Sequence, residues 1–318
     1  PPRLHVSATR VTPLRYGENP HQTAALYALP GTGESGIASA TTLDGKPLSY
    51  NNILDAAAAF AACRDLARAC ETPVGVVIKH ATPCGAGTGA TAEEAFEAAW
   101  SGDPLAAFGG IVGISTPVDT SLANTIAEGK RFIEVIVAPS IAPDAADILS
   151  ERWPSIRLLA TPDLHNPASA STSVRHVPGG LLAQSPDTAI AKPNAWKHAA
   201  GPPAEPWMYH AGVIAWTVAK HAASNAIAVA GSHRLFGVGC GQVDRLSAAK
   251  LAVSKSESAL KHHPGVAASD AFFPFADGPE CLIEAGIKCV IHPGGSKRDQ
   301  DTLTVCENAG VTCLLTGS

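Results

Sequence analysis

Val74-Gly-Val-Val-Ile-Lys79, followed at once by His80-Ala-Thr-Pro-Cys-Gly85, is the stretch on which the fold turns. Apolar and β-branched residues at successive positions read as a strand buried on both faces, as in a sheet covered by helices on each side. The apolar run stops at a lysine and a histidine. Open α/β sheets present their ligand crevice at the carboxyl ends of strands. Successive strand residues point to opposite faces, so either residue alone also reads as a surface charge.

Further runs of this kind lie along the chain: Glu134–Ala138 (EVIVA), Ala226–Ala230 (AIAVA), Lys288–Ile291 (KCVI) and Thr312–Leu315 (TCLL). Helical patterns separate them. Thr91-Ala-Glu-Glu94 predicts a capping box, with the threonine oxygen taking an early backbone N–H and Glu94 reaching back to the cap. It opens AEEAFEAAW, in which Phe96 and Trp100 share a face. Alanine-rich Ile53–Arg68, Met208–His221 and Arg298–Ala309 complete the helix candidates. Strand–helix alternation predicts an α/β architecture. Asp163–Pro206 differs, carrying Pro167, Pro178, Pro186, Pro193, Pro202, Pro203 and Pro206, and reads as loop or connection. The expected organisation is a first domain over 1–170, a connection over 171–206 and a second domain over 207–318. No internal repeat is visible.

Composition sets the class. The chain has 318 residues, 46% hydrophobic and 16% charged, which excludes a disordered solvating chain and suits about two domains. A net charge of −5 gives no general drive toward nucleic acid or an anionic membrane. No apolar run approaches the ~20 residues of a spanning helix, and PPRLHVSATR at the start has no signal-peptide core. The chain opens on Pro1 rather than methionine, as a processed or trimmed chain or a piece of a longer one would. Eight cysteines without a C-x-x-C pair read as reduced, mostly buried thiols rather than a zinc ribbon or redox dithiol. The expected setting is cytoplasmic.

Besides KHATPCG, three polar clusters interrupt the apolar pattern. Leu14-Arg-Tyr-Gly-Glu-Asn-Pro-His-Gln22 packs a cation, two rings, an acid and two amides into one loop, and taken alone reads as a polar turn. Gly237-Val-Gly-Cys-Gly-Gln-Val-Asp-Arg245, preceded by Ser224-Asn225, offers alternate glycines for backbone approach to an anion and an arginine as a bidentate donor. It matches neither the dinucleotide fingerprint nor the P-loop. Ser269-Asp-Ala-Phe-Phe-Pro-Phe-Ala-Asp277 reads either as core with turn caps or as an aromatic wall for a planar ligand.

Taken in order, LRYGENPHQ (14–22), LSYNNILDA (48–56), VIKHATPCG (77–85), DPLAAFGGIV (103–112), EVIVAP (134–139), SNAI (224–227), GVGCGQVDR (237–245), SDAFFPF (269–275) and HPGGSKRD (292–299) cover nearly the whole chain. With these segments the chain resembles the transformylase part of the AICAR transformylase/IMP cyclohydrolase family. No stretch resembles the cyclohydrolase half. The resemblance implies an α/β fold of two cytidine-deaminase-like, three-layer α/β/α domains, and a homodimer with active sites at the interface. It implies transfer of a formyl group from the co-substrate 10-formyltetrahydrofolate to the 5-amino group of AICAR, an imidazole carboxamide ribonucleotide, in de novo purine biosynthesis.

By the same resemblance Lys79, His80 and Asn225 are the catalytic residues. His80 manages the proton of the amine, Lys79 supplies positive charge or a proton near the formyl oxygen and leaving nitrogen, and Asn225 orients the formyl group or carboxamide. Arg15 and Tyr16 match nucleotide-binding positions, Gly109 a close-approach turn, Arg245 a ligand-site arginine, and Phe272 and Asp277 the folate-side wall and its polar anchor. No nucleic acid or membrane partner is implied. The zinc pattern of deaminases, H-x-E with P-C-x-x-C, is not matched: Pro83-Cys84 has no second cysteine three positions on, so no catalytic metal is expected.

The chain departs from the family in two places. Thr82 stands where asparagine is usual, and the chain ends at Leu314-Leu-Thr-Gly-Ser318 without the Arg/His/Phe-rich tail. Arg15, Lys79 and Arg245 then carry the phosphate alone, or affinity is weak. Two other readings stand beside AICAR formylation: a paralogue formylating a related amino-carboxamide nucleotide, and a catalytically weak binding subunit.

Overall fold

The computed structural model describes residues 3–30, 36–166 and 172–318. Pro167 and the expected domain limit at 170 lie outside the described residues.

The chain begins with a hairpin, β1 (Thr9–Leu14) and β2 (Ala24–Ala28). There follow β3 (Thr41–Asp44), α1 (Tyr50–Ala69), β4 (Val74–Lys79), β5 (Thr82–Thr88), α2 (Ala92–Trp100), α3 (Pro104–Ala107), β6 (Gly110–Ile114), α4 (Thr120–Ala127), β7 (Ile133–Ala138), α5 (Pro143–Arg152) and β8 (Arg157–Ala160). A second hairpin, β9 (Ser173–Val177) and β10 (Gly180–Gln184), precedes β11 (Lys197–Ala200), α6 (Pro206–His221), β12 (Ile227–Ala230), β13 (Leu235–Gly239) and α7 (Arg245–Leu260). The chain closes with β14 (Gly265–Ser269), α8 (Asp277–Glu284), β15 (Ile287–His292), α9 (Asp299–Ala309) and β16 (Thr312–Leu315).

Two six-stranded mixed sheets result, in the orders β3-β8-β7-β6-β4-β5 and β11-β16-β15-β14-β12-β13. In each, the three strands β8-β7-β6 or β16-β15-β14 run parallel and the flanking pairs antiparallel. The α/β/α expectation therefore holds twice, and the two units share one topology that no sequence repeat announces. Lys197–Ala200, within the expected connection, is an edge strand of the second sheet. Both hairpins pair only with themselves.

Side-chain alternation decides which face each strand gives to which layer. In β4, Val74, Val76 and Ile78 join a core shared with α1 and α6, while Val77 faces the opposite side with Phe96 and Trp100 of α2. The middle core takes residues from both sheets, including Val135 and Leu159 from the first and Val266 and Ile291 from the second. Helix α1 starts at a capping box, Asn52 N–H donating to Ser49 Oγ at 3.1 Å and Ser49 N–H to Asn52 Oδ1 at 3.2 Å. Its stripe Ala56, Ala59, Cys63 and Leu66 is buried. At α2, Thr91 Oγ1 accepts the Glu94 N–H, but the Glu94 carboxylate reaches Ala90 N–H, one residue before the cap.

Close helix approach requires glycine at some strand positions. A Cβ at Gly85 would stand 2.0 Å from the Ala99 carbonyl oxygen, and one at Gly239 2.1 Å from that of Ala248. Gly237 and Gly239 pair with Val229 and Ile227 in the β12–β13 ladder, and Gly241 N–H donates to Ala223 O at 2.6 Å. Gly237 and Gly239 thus serve helix packing and the sheet rather than an anion cradle, because α7 lies on their bare face.

The two units are bolted through α1 and α6. Asp65, 3% exposed, accepts from Lys220 Nζ at 2.8 Å and meets His221 Nε2 at 3.0 Å and Arg64 at 3.1 Å. The sheets also touch at β5 and β13, where Thr88 N–H donates to His233 O at 2.8 Å. Lys255 pairs with Asp103 at 2.6 Å. All eight cysteines are free thiols. Among the described residues no helix is long and apolar enough to cross a membrane.

Candidate active site

The polar residues singled out in the sequence fall into separate groups. The first lies at the β4–β5 hairpin. Lys79 and Thr82 pair across it, so His80 and Ala81 form a two-residue loop. Loops of this length take primed turns whose twist matches the strands, with left-handed central residues. His80 has φ 52° and Ala81 φ 56°. The Lys79 ammonium donates to the carbonyls of Phe108 at 3.1 Å and Gly109 at 2.8 Å. Gly109, at φ 69°, lets that turn close over the lysine: a Cβ there would stand 3.1 Å from Nζ. An ammonium has three donors, so one N–H is not bonded among the described residues. The His80 side is exposed. Asp55 of α1, 8% exposed, accepts the Ala81 N–H at 2.7 Å.

The second group lies at the start of β12 and the end of β14. Arg245, the first residue of α7, is buried and donates to Asn225 Oδ1 at 2.7 Å, Asp270 Oδ1 at 2.6 Å and Ser269 Oγ at 2.7 Å. Asn225 Nδ2 donates to Gln242 O at 2.8 Å, and its amide follows a cis bond from Ser224. Asp270 also accepts from Ser224 Oγ and from Ala226 N–H at 3.0 Å. Burial pushes its carboxyl up, but the bonds from Arg245, Ser224 and Ala226 outweigh this and hold it below the ordinary carboxylate range. Asn225 is therefore a fixed amide, with one side-chain N–H not bonded among the described residues.

The SDAFFPF segment continues from this group. Phe273 is core, whereas Phe272 and Phe275 are exposed, and Arg298 stacks over Phe275 at 4.9 Å. Asp277 is exposed and accepts the Gly278 N–H at 2.8 Å. Arg15 and Tyr16 stand apart in the β1–β2 turn, where the guanidinium lies 5.8 Å from the phenol centroid. Among the described residues no side-chain hydrogen bond joins the Lys79–His80 group to the Asn225–Arg245 group. A cavity of about 400 Å³ lies elsewhere, lined by Arg68, Lys192, Trp196 and Trp216. No cluster of His, Cys, Asp or Glu among the described residues is placed to hold a metal ion.

A sequence model of the AICARFT/IMPCHase bienzyme family matches residues 1–255. The chain belongs to this family. The bifunctional purine biosynthesis protein PurH of Rhodopirellula baltica is 39% identical over 320 residues, covering 100% of this chain and 60% of that relative. PurH of Cyanothece sp. is 41% identical over 318 residues, covering 99% of this chain and 59% of the relative. The chain thus spans about three-fifths of the length of these AICARFT/IMPCHase relatives.

Three residues of this AICARFT/IMPCHase chain lie inside the quoted segments but are not singled out by them as site residues. Asp55 and Asp270 each accept the backbone N–H of the residue after a candidate, Ala81 after His80 and Ala226 after Asn225. Asp55 carries a signal, being an acid on the buried stripe of an alanine-rich helix. The third is His292 at the end of β15, fully buried, edge-on to Phe273 at 5.6 Å. Its Nδ1 accepts from Gly294 N–H at 3.1 Å, and its Nε2 is buried without a partner. Burial, reinforced by the nearby Arg245 charge and opposed by Asp299, pushes it from 6.5 down to about 4. The unfolded chain therefore binds a proton that the folded chain refuses. The His292 contribution to stability is whole above about pH 6.5 and is lost as pH falls toward about 4. Denaturant titrations of wild type and H292Q should show a wild-type decline in that window that the variant lacks. Parallel declines would remove His292 from the acid response.

Proposed function

We propose that this chain is a formyltransferase that moves the formyl group of 10-formyltetrahydrofolate to the 5-amino group of AICAR in purine biosynthesis, in the cytoplasm. The observation that carries this reading is the Lys79–His80 turn. A lysine fixed on two carbonyls keeps one N–H free, next to an exposed imidazole at the end of a buried strand. The family and the names of the PurH relatives support the substrate class.

The acceptor amine is conjugated through the imidazole to the carboxamide, so it is a weak nucleophile and must lose a proton as it attacks. His80 takes that proton. The free N–H of Lys79 stabilises the negative charge that develops on the formyl oxygen, and lysine is the proton source for the folate nitrogen as the old C–N bond breaks. Positioned acid–base groups of this kind contribute about 10²–10⁴-fold. Asn225, held by Arg245 and Gln242, directs its remaining N–H at the carboxamide or formyl group. Phe272 and Asp277 offer a ring face and a carboxylate to the pterin, and Arg15 an ion pair to the nucleotide phosphate.

The site is completed by a second copy of the chain, bringing the Lys79–His80 group of one protomer to the Asn225–Arg245 group of its partner. Large apolar side chains flank both groups in the open: Leu105 at 89% and Phe108 at 55% exposure beside Lys79, and Val243 at 99% beside Arg245. Their exposure supports a contact surface at each group.

The test mixes two inactive variants, H80A and N225A, after confirmed subunit exchange, and follows tetrahydrofolate release with AICAR. Recovered turnover toward one-quarter of wild type is expected, the share of restored sites in a random mixture. Exchange without recovery would refute the shared site. Wild-type protein that binds AICAR and folate but releases no tetrahydrofolate would refute the transferase.

A further inference from the structure

We propose that Asp55 is a positioning residue for His80: its carboxylate holds the β4–β5 turn in the conformation that presents the imidazole. The proposal rests on the function assigned above to His80, though the geometry stands without it. Primed two-residue turns favour Asn-Gly, Asp-Gly or Gly-Gly, because both central residues need positive φ. Here they are His80 and Ala81, at φ 52° and 56°. Histidine visits this region more readily than most residues, whereas alanine has no side-chain group to compensate the crowding of its Cβ. The alanine is thus the weak point of the turn. Among the described residues the one hydrogen bond reaching the two turn residues from outside the hairpin is at Ala81, whose N–H donates to Asp55 Oδ1 at 2.7 Å.

Asp55 is itself fixed. It lies on the buried stripe of α1, one turn from Ala59, in a helix whose start is locked by the Ser49–Asn52 box. An α-helix is rigid on the scale of a hairpin tip, so the carboxylate transmits the position of the middle layer to the turn. Strained residues at a working site persist only where the surroundings over-determine them. Asp55 supplies that constraint here. Its charge is not required, since any oxygen acceptor at that place serves; its acceptor is.

The test uses D55A, D55N, A81G and the D55A/A81G double variant, assayed for tetrahydrofolate release with AICAR and for thermal unfolding. D55A should lose at least ~30-fold in kcat with the AICAR KM within ~3-fold, in line with the cost of displacing a reacting group by about an ångström. D55N should keep most of the rate, because its amide oxygen still accepts. Glycine takes positive φ without cost, so A81G should make the tie dispensable and return D55A/A81G to within ~3-fold of A81G alone. A folded D55A at wild-type rate, or a folded double variant as slow as D55A, would overturn the proposal. If D55A does not fold, comparing the double variant with A81G decides the question: equal rates support the tie, and a large loss ends it. The His80 imidazole signals in heteronuclear NMR give a readout free of turnover. They should shift in D55A and return in the double variant, and unmoved signals would overturn the proposal even if the chain proves to transfer no formyl group.

Discussion

Replacing His80 with alanine is expected to lower kcat for formyl transfer to AICAR by at least ~10²-fold while leaving AICAR affinity within ~3-fold. The side chain sits at the tip of the β4–β5 hairpin and is exposed, so its removal leaves no cavity and no buried group unpaired. The fold should be unaffected, and thermal unfolding of the variant tests that directly. Under the proposed mechanism the variant loses the group that accepts the amine proton as the new C–N bond forms. The same proposal gives binding to ionic and ring contacts elsewhere, so rate and affinity should separate. Single-turnover kinetics with saturating folate gives the chemical step, and calorimetry gives the affinity. A near-normal single-turnover rate would remove the histidine from the mechanism.

The second large effect concerns stability. Asp65→Ala is expected to cost about 3 kcal/mol, the low end of the penalty for breaking a buried ion pair, because its lysine partner keeps a second carboxylate. The partner left behind is Lys220, largely shielded from water, which loses its 2.8 Å bond to Asp65 and keeps a longer pair with Asp187 at 3.6 Å and the Ala189 carbonyl. Urea denaturation of the variant measures the loss, and a change below about 1 kcal/mol would show that water already reaches the lysine. The pH dependence has a defined sign. Burial pushes the Asp65 carboxyl up, but hydrogen bonds and charge from His221 and Lys220 outweigh it, so the folded group is more acidic than the unfolded one. Its stabilisation is complete above about pH 4 and fades as the pH drops below that toward the folded value. The gap between wild type and D65A should therefore close in acid.

How far the sequence discloses this molecule depends on what each strand has to pack against. VGVVIK and EVIVA are legible because both faces meet side chains, so both are filled with branched residues. TPCGAGT and LFGVG hide their strands because helices α2 and α7 rest directly on the backbone, and at the covered positions glycine is all that fits. The duplication of topology is invisible for a related reason: the hydrogen-bond order of a sheet constrains residue type only weakly. At the candidate site, Lys79 and His80 stand out as polar residues ending an apolar run. Arg245 and Asn225 stand out only as members of motifs, and nothing in the sequence announces that one guanidinium joins residues 225, 269 and 270. Contacts between distant segments are set by the tertiary arrangement. A lone aspartate does not declare which backbone it will hold.

Helices α1 and α6 lie back to back between the sheets, and their apolar residues belong to one continuous cluster. Cutting the chain in the proline-rich stretch would therefore not release two independent modules. Each half would carry a wet, greasy flank where its sibling had been, and would precipitate or seek that sibling. Co-expressed fragments should reassemble, whereas either alone should not behave as an autonomous folding unit.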